Sequence, residues 1–220
     1  MLAIKHLSAA VVLGAFLLGG CTSKVADSNE YSGFLSDYSK LHKAESPTGQ
    51  TVLRWVDPAL KMNNYQNIYY EPIVFHPAPQ PNEQISQQTL DQILSFTNQR
   101  VKTALGQRLH LVDNKQTPNT LVFRGAITGV SAPTQGLHFY EVIPVALVIA
   151  GTMAATGERD EDTVLMFEGE LVDAKTGKTV FEVVRKGFGK ELSNDKQKVT
   201  VGDLQQIVSD MATDIVRYQD

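Results

Sequence analysis

The residue types that most often carry out chemistry are scattered along this chain. Five histidines occur, at positions 6, 42, 76, 110 and 138, and no two of them are three or four residues apart. A helical pair of metal ligands needs that spacing, and a zinc-thiolate cluster needs more than one cysteine. The sequence contains no HExxH or GxSxG motif, no P-loop and no dinucleotide-binding glycine pattern. We therefore expect no metal, no cofactor and no catalytic residues.

The single cysteine, Cys21, stands where a thiol has a specific use. Lys5 makes the N-terminus positive, residues 9–18 are an apolar stretch, and Leu18-Gly19-Gly20 comes directly before the cysteine. A helix needs about 20 apolar residues to span a bilayer, so the shorter stretch predicts an export signal. Residues 18–21 resemble the lipobox of bacterial lipoproteins. That resemblance implies cleavage before Cys21, a thioether-linked diacylglycerol and N-acylation with a chain such as palmitate.

Lipidation of Cys21 would hold the protein on a membrane without a spanning helix. One acyl chain binds only marginally, whereas several chains hold a protein stably. The next residue is Thr22 rather than aspartate, which in lipoproteins of enteric-type bacteria implies the outer membrane. We predict anchoring at its periplasmic face, with exposure on the cell surface as the alternative. The predicted signal peptide covers residues 1–20, and the small polar residues that follow predict a flexible tether over 21–30.

The strand and helix patterns in residues 31–220 predict one α+β domain. We expect a mostly antiparallel sheet covered by two amphipathic helices. Pro72 favours an edge position for the strand that contains it, and Gly106 favours the end of the first long helix. A shorter helix is expected over residues 34–41, because apolar residues recur there at helical spacing. The predicted strands are 51–56, 67–75, 109–112, 120–130, 163–173 and 179–188, and the two long helices are 87–106 and 201–218.

One segment departs from this pattern, because residues 142–155 are apolar apart from Thr152. The segment is too short to span a bilayer as a helix. Three interpretations stay open: a helix buried against the sheet, a patch that contacts lipid or a protein partner, and a hydrophobic ligand site. The second interpretation assigns contacts to seven side chains: Phe139, Tyr140, Val142, Ile143, Val145, Leu147 and Ile149.

Residues 31–41, which begin ten positions after Cys21, resemble the opening motif of a bacterial lipoprotein family catalogued as domain of unknown function 3313. Residues 52–58, 123–130 and 168–177 fit the same family pattern. The resemblance implies an envelope location and a single domain. It implies no activity, since the family has no established catalytic residues.

The charge of the chain argues against a nucleic-acid-binding function. The net charge is −4 and no long run of lysine or arginine occurs, so nucleic acid is not an expected partner. We predict a non-catalytic binding or scaffold component of the cell envelope, which contacts an envelope protein or forms a homo-oligomer. The alternative is a binding protein for a small apolar ligand or lipid, auxiliary to envelope transport. A hydrolase assembled from distant side chains is the third hypothesis.

Overall fold

Eight strands form one sheet in the part of the protein that the computed structural model describes, residues 25–131, 162–194 and 196–219. Two α-helices accompany the sheet, which confirms the predicted α+β class. The strands are β1 (His42–Glu45), β2 (Thr51–Val56), β3 (Asn67–Tyr70), β4 (Val74–Phe75), β5 (His110–Val112), β6 (Thr120–Ser131), β7 (Asp162–Asp173) and β8 (Thr179–Glu191). The helices are α1 (Gln87–Arg108) and α2 (Val201–Arg217).

The strand order is β1-β2-β8-β7-β6-β3-β5, and β4 pairs with β6. The pairings from β1 through to β6 are antiparallel. In contrast, β3 runs parallel to β5 and β6, and β4 also runs parallel to β6. The sheet is therefore mixed, with its parallel part on one side.

The predicted edge position of the strand around Pro72 is correct for only part of it: β3 lies between β6 and β5, whereas β4 pairs with β6 alone. Pro72 falls in the break between β3 and β4, where its missing N–H group removes no hydrogen bond from the sheet. The proline therefore divides the predicted strand into two short strands, of which β4 has β6 as its one strand partner among the described residues.

The first helix begins as predicted and ends later than predicted. The Ser86 side chain accepts a hydrogen bond from the Thr89 backbone N–H at 3.1 Å, and this N-cap starts α1. The helix continues through Gly106 to Arg108. A Cβ atom at Gly106 would lie 2.9 Å from Leu111 Cδ1, so the glycine permits close contact with β5 and does not end the helix.

Both helices cover the same face of the sheet and run side by side in the same direction. Near their N-termini, the Val199 N–H donates to the Gln84 carbonyl at 2.9 Å. At their C-terminal ends, Arg108 Nη1 donates to the Val216 carbonyl at 3.2 Å. Helix α2 lies directly on β8, because a Cβ atom at Gly189 would overlap the Asp203 carbonyl oxygen.

The opposite face of the sheet is covered by residues 25–41, which we call the N-terminal strap. The predicted helix over 34–41 is wrong, because this region has no α-helix and its one helical turn is the 3-10 turn Ser28–Glu30. Val25 and Ala26 are each 6% exposed, so the packed body begins before the predicted domain start at Tyr31. Both residues belong to a hydrophobic cluster with Leu35, Leu53, Val164, Met166 and Val184.

Polar contacts fix the direction of the N-terminal strap. Glu30 forms an ion pair of 2.7 Å with Lys186, which pairs with Met166 near the start of β7. Further along, the Tyr38 hydroxyl donates to Glu168 Oε2 at 2.6 Å. The strap therefore enters at the end of the sheet where β6 stops and β7 starts, and runs toward the β7–β8 hairpin.

Candidate functional site

An apolar cavity of about 160 Å³ lies between the sheet and the C-terminal halves of both helices. The sheet supplies one wall, since alternate residues of a strand face the same side. The helices supply the other wall through residue pairs four positions apart, and the loop after β2 adds two more side chains. The apolar lining comprises Val52, Leu60, Met62, Ile68, Val101, Leu105, Leu109, Phe123, Phe167, Leu171, Phe181, Val183, Met211 and Ile215.

Two glycines shape the floor of this cavity. Gly125 of β6 and Gly169 of β7 face each other across the strands. A Cβ atom at Gly125 would lie 2.9 Å from the rings of both Phe123 and Phe167. The rings therefore lean over the glycine positions, and this places two aromatic side chains along the cavity wall.

The size and lining of the cavity suit a small apolar group. A buried cavity of about 150 Å³ lined by aliphatic and aromatic side chains stays dry and binds benzene in a well-studied protein. The present cavity has a similar volume and is partly open to solvent, so it can admit an apolar group of about six carbon atoms.

Charged groups flank this apolar lining. Arg185 of β8 is 5% exposed and forms an ion pair with Asp214 of α2. The other carboxylate oxygen of Asp214 accepts a hydrogen bond from the Thr48 backbone N–H at 2.7 Å. The Nε atom of Arg185 is buried and has no hydrogen-bond partner among the described residues. A buried donor without a hydrogen bond costs about 1–3 kcal/mol of stability. A hydrogen-bond acceptor placed against Arg185 Nε would remove that cost.

Two further arginines reach the same end of α2. Arg108 at the end of α1 donates to the Val216 carbonyl, and the Arg54 guanidinium of β2 lies 5.2 Å from the centre of the Tyr218 ring. Both arginines line the cavity. Guanidinium groups from three separate elements therefore meet around residues 214–218, beside an apolar cavity.

The face under the strap has a different chemistry. Glu168 is fully buried, and its carboxylate accepts hydrogen bonds from the Ser32 N–H at 3.0 Å and from the Tyr38 hydroxyl. Burial, followed by the bond to Glu168, raises the pKa of Tyr38 to about 12. Glu182 is 2% exposed, and burial, followed by the charge of Glu170, raises the pKa of its carboxyl. The bonds of Ser32 and Tyr38 to Glu168 hold the strap on the sheet.

The structure does not test the sequence-predicted site residues. Cys21 lies outside the described residues, and so do Phe139, Tyr140, Val142, Ile143, Val145, Leu147 and Ile149. The three arginines are far apart in the sequence and follow no motif. Sequence periodicity indicated the apolar faces of β6, β7 and the helices, but no signal indicated that these faces leave a space between them.

The described histidines lie apart from the cavity. His42 and His110 are exposed, and the His76 ring lies 5.8 Å from the ring of Phe34. None of the three hydrogen-bonds to a serine hydroxyl in the described ranges. Over the same ranges, no group of three or more histidine, cysteine or acidic residues is arranged to hold a metal ion. No helix in the described part is long and apolar enough to cross a membrane.

Curated relatives resemble nearly the whole chain. The chain is 48% identical over 209 residues to "Uncharacterized lipoprotein YdcL" of Escherichia coli strain K12, and equally to the protein of that name in Escherichia coli O157:H7. Each match covers 95% of this chain and 94% of the relative.

Solved structures show a more distant likeness. The PelC dodecamer from Paraburkholderia phytofirmans has a TM-score of 0.40 at 12% identity, covering 77% of this chain and 99% of that chain. A DUF4136 family protein (BT2437) from Bacteroides thetaiotaomicron has a TM-score of 0.35 at 11% identity, covering 75% of this chain and 92% of that chain. Scores this low carry no inference about assembly or ligands.

The family profile described as "Protein of unknown function (DUF3313)" matches residues 30–215. This match begins beside the motif at residues 31–41 and includes both helices and nearly all of the sheet. Together with the E. coli relatives, it confirms the resemblance seen in the sequence. The chain belongs to the DUF3313 family of proteins of unknown function.

Proposed function

We propose that this protein is a lipid-anchored, non-catalytic binding component of the cell envelope, and that its cavity holds a small apolar ligand or lipid. The single observation that carries the binding role is the apolar cavity of about 160 Å³ beneath α1 and α2. Fourteen apolar side chains line it, and such a surface offers a polar molecule few partners.

The proposed anchor rests on Cys21 and is supported by the relatives, which are lipoproteins by name. Val25, the first described residue, follows Cys21 by four positions. Four residues of chain span at most about 14 Å. Val25 packs in the cluster that includes Val164, near the start of β7. We infer that this end of the sheet faces the membrane, on the periplasmic side of the outer membrane.

The cavity lies toward the other end of the sheet. Leu171 and Phe181, which flank the β7–β8 hairpin, line it, as do Leu60 and Met62 from the loop after β2. A protein anchored through Cys21 would therefore present its cavity away from the bilayer. This arrangement suits a component that receives or passes on an apolar molecule within the periplasm.

Native mass spectrometry of the full acylated protein, released from gentle detergent, tests the binding role. We expect an additional mass from a copurifying apolar molecule. The matched variant is Val183→Phe, which places a larger side chain in the cavity wall and should abolish that mass. Repeated spectra of empty wild-type protein would contradict the binding role.

Metabolic labelling with radioactive palmitate tests the anchor separately. We expect label in the wild-type protein and none in Cys21→Ser, because the serine hydroxyl cannot form the thioether. Equal label in the two proteins would contradict anchoring at Cys21, whatever the result for the cavity.

A scaffold role is the second candidate, favoured by the apolar residues 142–155. Under this proposal the seven side chains from Phe139 to Ile149 contact an envelope protein or a second copy of the chain. Crosslinking in intact cells, followed by purification, should then recover a stoichiometric complex. An isolated monomer under the same conditions would contradict the scaffold role.

A further inference from the structure

The geometry points to an anionic, single-chain amphiphile as the ligand of the cavity, with its apolar chain inside and its negatively charged head against the arginines at the end of α2. This inference rests on the proposed binding role and adds the chemical class of the ligand. Its basis is the excess of positive charge around an apolar space.

The charges beside the cavity do not balance among the described residues. Asp214 is the carboxylate at the end of α2, and it is already paired with Arg185. Arg54 and Arg108 form no ion pair within the described ranges. Glu170 also borders the cavity, but its two carboxylate oxygens bond Arg124 and Thr179. Within residues 25–131, 162–194 and 196–219, the guanidinium groups of Arg54 and Arg108 therefore have no carboxylate partner, and we infer that they receive an anion.

The structural roles of these arginines do not use all of their hydrogen bonds. Arg108 donates through Nη1 to a carbonyl at the end of α2, where a positive charge is favourable. The Arg54 guanidinium lies over the Tyr218 ring, and this contact with the ring uses none of its N–H groups as hydrogen-bond donors to oxygen. Arg185 keeps a buried Nε with no partner in the described part of the chain. A carboxylate or phosphate oxygen satisfies such donors with charge-assisted hydrogen bonds.

The surroundings of Arg108 suit a polar head beside an apolar tail. Arg108 and Leu109 line both the apolar cavity and a neighbouring depression, whose other lining residues are Tyr65, Gln66, Gly106, Gln107 and His110. An amphiphile can place its chain in the first space and its head toward the second. The cavity takes about six carbons of the chain, and octanoate has one further carbon to carry its carboxylate to the arginines, so octanoate is a suitable probe.

The test uses the full acylated protein in lipid nanodiscs with 13C-labelled methionine methyl groups. Met62 and Met211 line the cavity, whereas Met166 lies under the strap and serves as an internal control. Octanoate, octyl phosphate and uncharged octanol are titrated in turn. Changes in the NMR chemical shifts of the Met62 and Met211 methyl groups report binding in the cavity. Partition of the probe into the lipid does not change these chemical shifts.

We expect octanoate or octyl phosphate to bind at least tenfold more tightly than octanol, and the stronger of the two identifies the preferred head. The double variant Arg54→Gln/Arg108→Gln should lose that preference while octanol still binds. Arg100→Gln is the matched control, because Arg100 is exposed on α1 and does not line the cavity; it should behave as wild type.

Each contrary result has a distinct meaning. Equal binding of octanol and the anions to the wild-type protein would overturn the anionic head and leave the apolar binding role standing. An anion preference that survives in the double variant would overturn the role of these two arginines. Absence of shifts at Met62 and Met211 with all three probes would overturn both this inference and the proposed binding role.

Discussion

The two faces of the sheet are covered in different ways. On one face, α1 and α2 pack through apolar side chains, and their C-terminal halves leave a cavity of about 160 Å³. On the other face, the strap is fixed by directed bonds to buried polar groups such as Glu168. Apolar packing of rigid helices tolerates a space, whereas a strap without regular structure follows the sheet closely. The comparison explains why the cavity is on the helical face.

The largest expected loss of stability tests whether α2 is held by close contact with β8. Replacing Gly189 with alanine forces a Cβ atom onto the Asp203 carbonyl oxygen, which belongs to the backbone of α2 and cannot turn away. We expect a loss of about 3 kcal/mol in the free energy of unfolding, measured by urea denaturation. Gly202→Ala is the control, since Gly202 is exposed in α2 with only ordinary contacts nearby. Equal stability of Gly189→Ala and wild type would show that α2 is not pressed onto β8.

The next effect tests whether polar bonds hold the strap. The Tyr38 hydroxyl donates to Glu168 and accepts from the backbone N–H groups of Gly33 and Leu35. Tyr38→Phe removes all three bonds, and we expect a loss of about 2 kcal/mol. Limited proteolysis should then cut the strap while the helices stay protected. Tyr69→Phe is the control, and cleavage at equal rates in the two variants would contradict the role of the Tyr38 hydroxyl.

A smaller, pH-dependent effect is expected at Glu182, whose neighbouring charges are Glu170, Asp37 and Lys40. Burial raises the pKa of the Glu182 carboxyl above 4.5, so folding disfavours its charged form. Its contribution to stability therefore falls as the pH rises above about 4.5. We expect Glu182→Gln to raise the melting temperature at pH 7 by about 2–4 °C, the shift that corresponds to ~1 kcal/mol.

The same comparison at pH 4 provides the control for Glu182→Gln. At pH 4 the wild-type carboxyl is mostly protonated in the folded and unfolded states, so the difference between the proteins should shrink. A difference in melting temperature that is the same at pH 4 and pH 7 would contradict a destabilising buried charge.

The smallest effect on stability is expected inside the cavity itself. Val183→Phe adds volume where the wall borders empty space, so we expect a change within about 1 kcal/mol in the free energy of unfolding. The same substitution at Val184, which is buried under the strap at 1% exposure, meets filled space and should cost clearly more. Similar losses at Val183 and Val184 would remove the contrast between the two faces.

The two helices could be predicted from the sequence, because capping residues mark where they begin and apolar residues recur at helical spacing along them. Ser86 and Thr200 mark the starts of α1 and α2, and the stripe from Leu90 to Leu105 indicates the buried side of α1. The predicted strands 163–173 and 179–188 correspond closely to β7 and β8, which are joined by a turn with Gly177 at a φ of 69°. Each of these features depends on residues close together in the chain.

The strap and the arginines could not be predicted, because they depend on distant partners. Ser32 and Tyr38 bond Glu168, which lies 136 and 130 residues further along the chain. Strand β1 was missed because His42, Lys43 and Glu45 are exposed and show no apolar alternation. Arg54, Arg108 and Arg185 meet only because β2, α1 and β8 each place a residue beside the last turn of α2.

Crystals of the protein pressurised with xenon test the central claim most directly, since xenon binds in apolar cavities of this size. The account predicts one well-occupied xenon site among the side chains of Val101, Phe167 and Met211, and none between the strap and the sheet over the described residues. Absence of xenon from that cavity, or xenon bound beside Leu35 and Val184 instead, would contradict it.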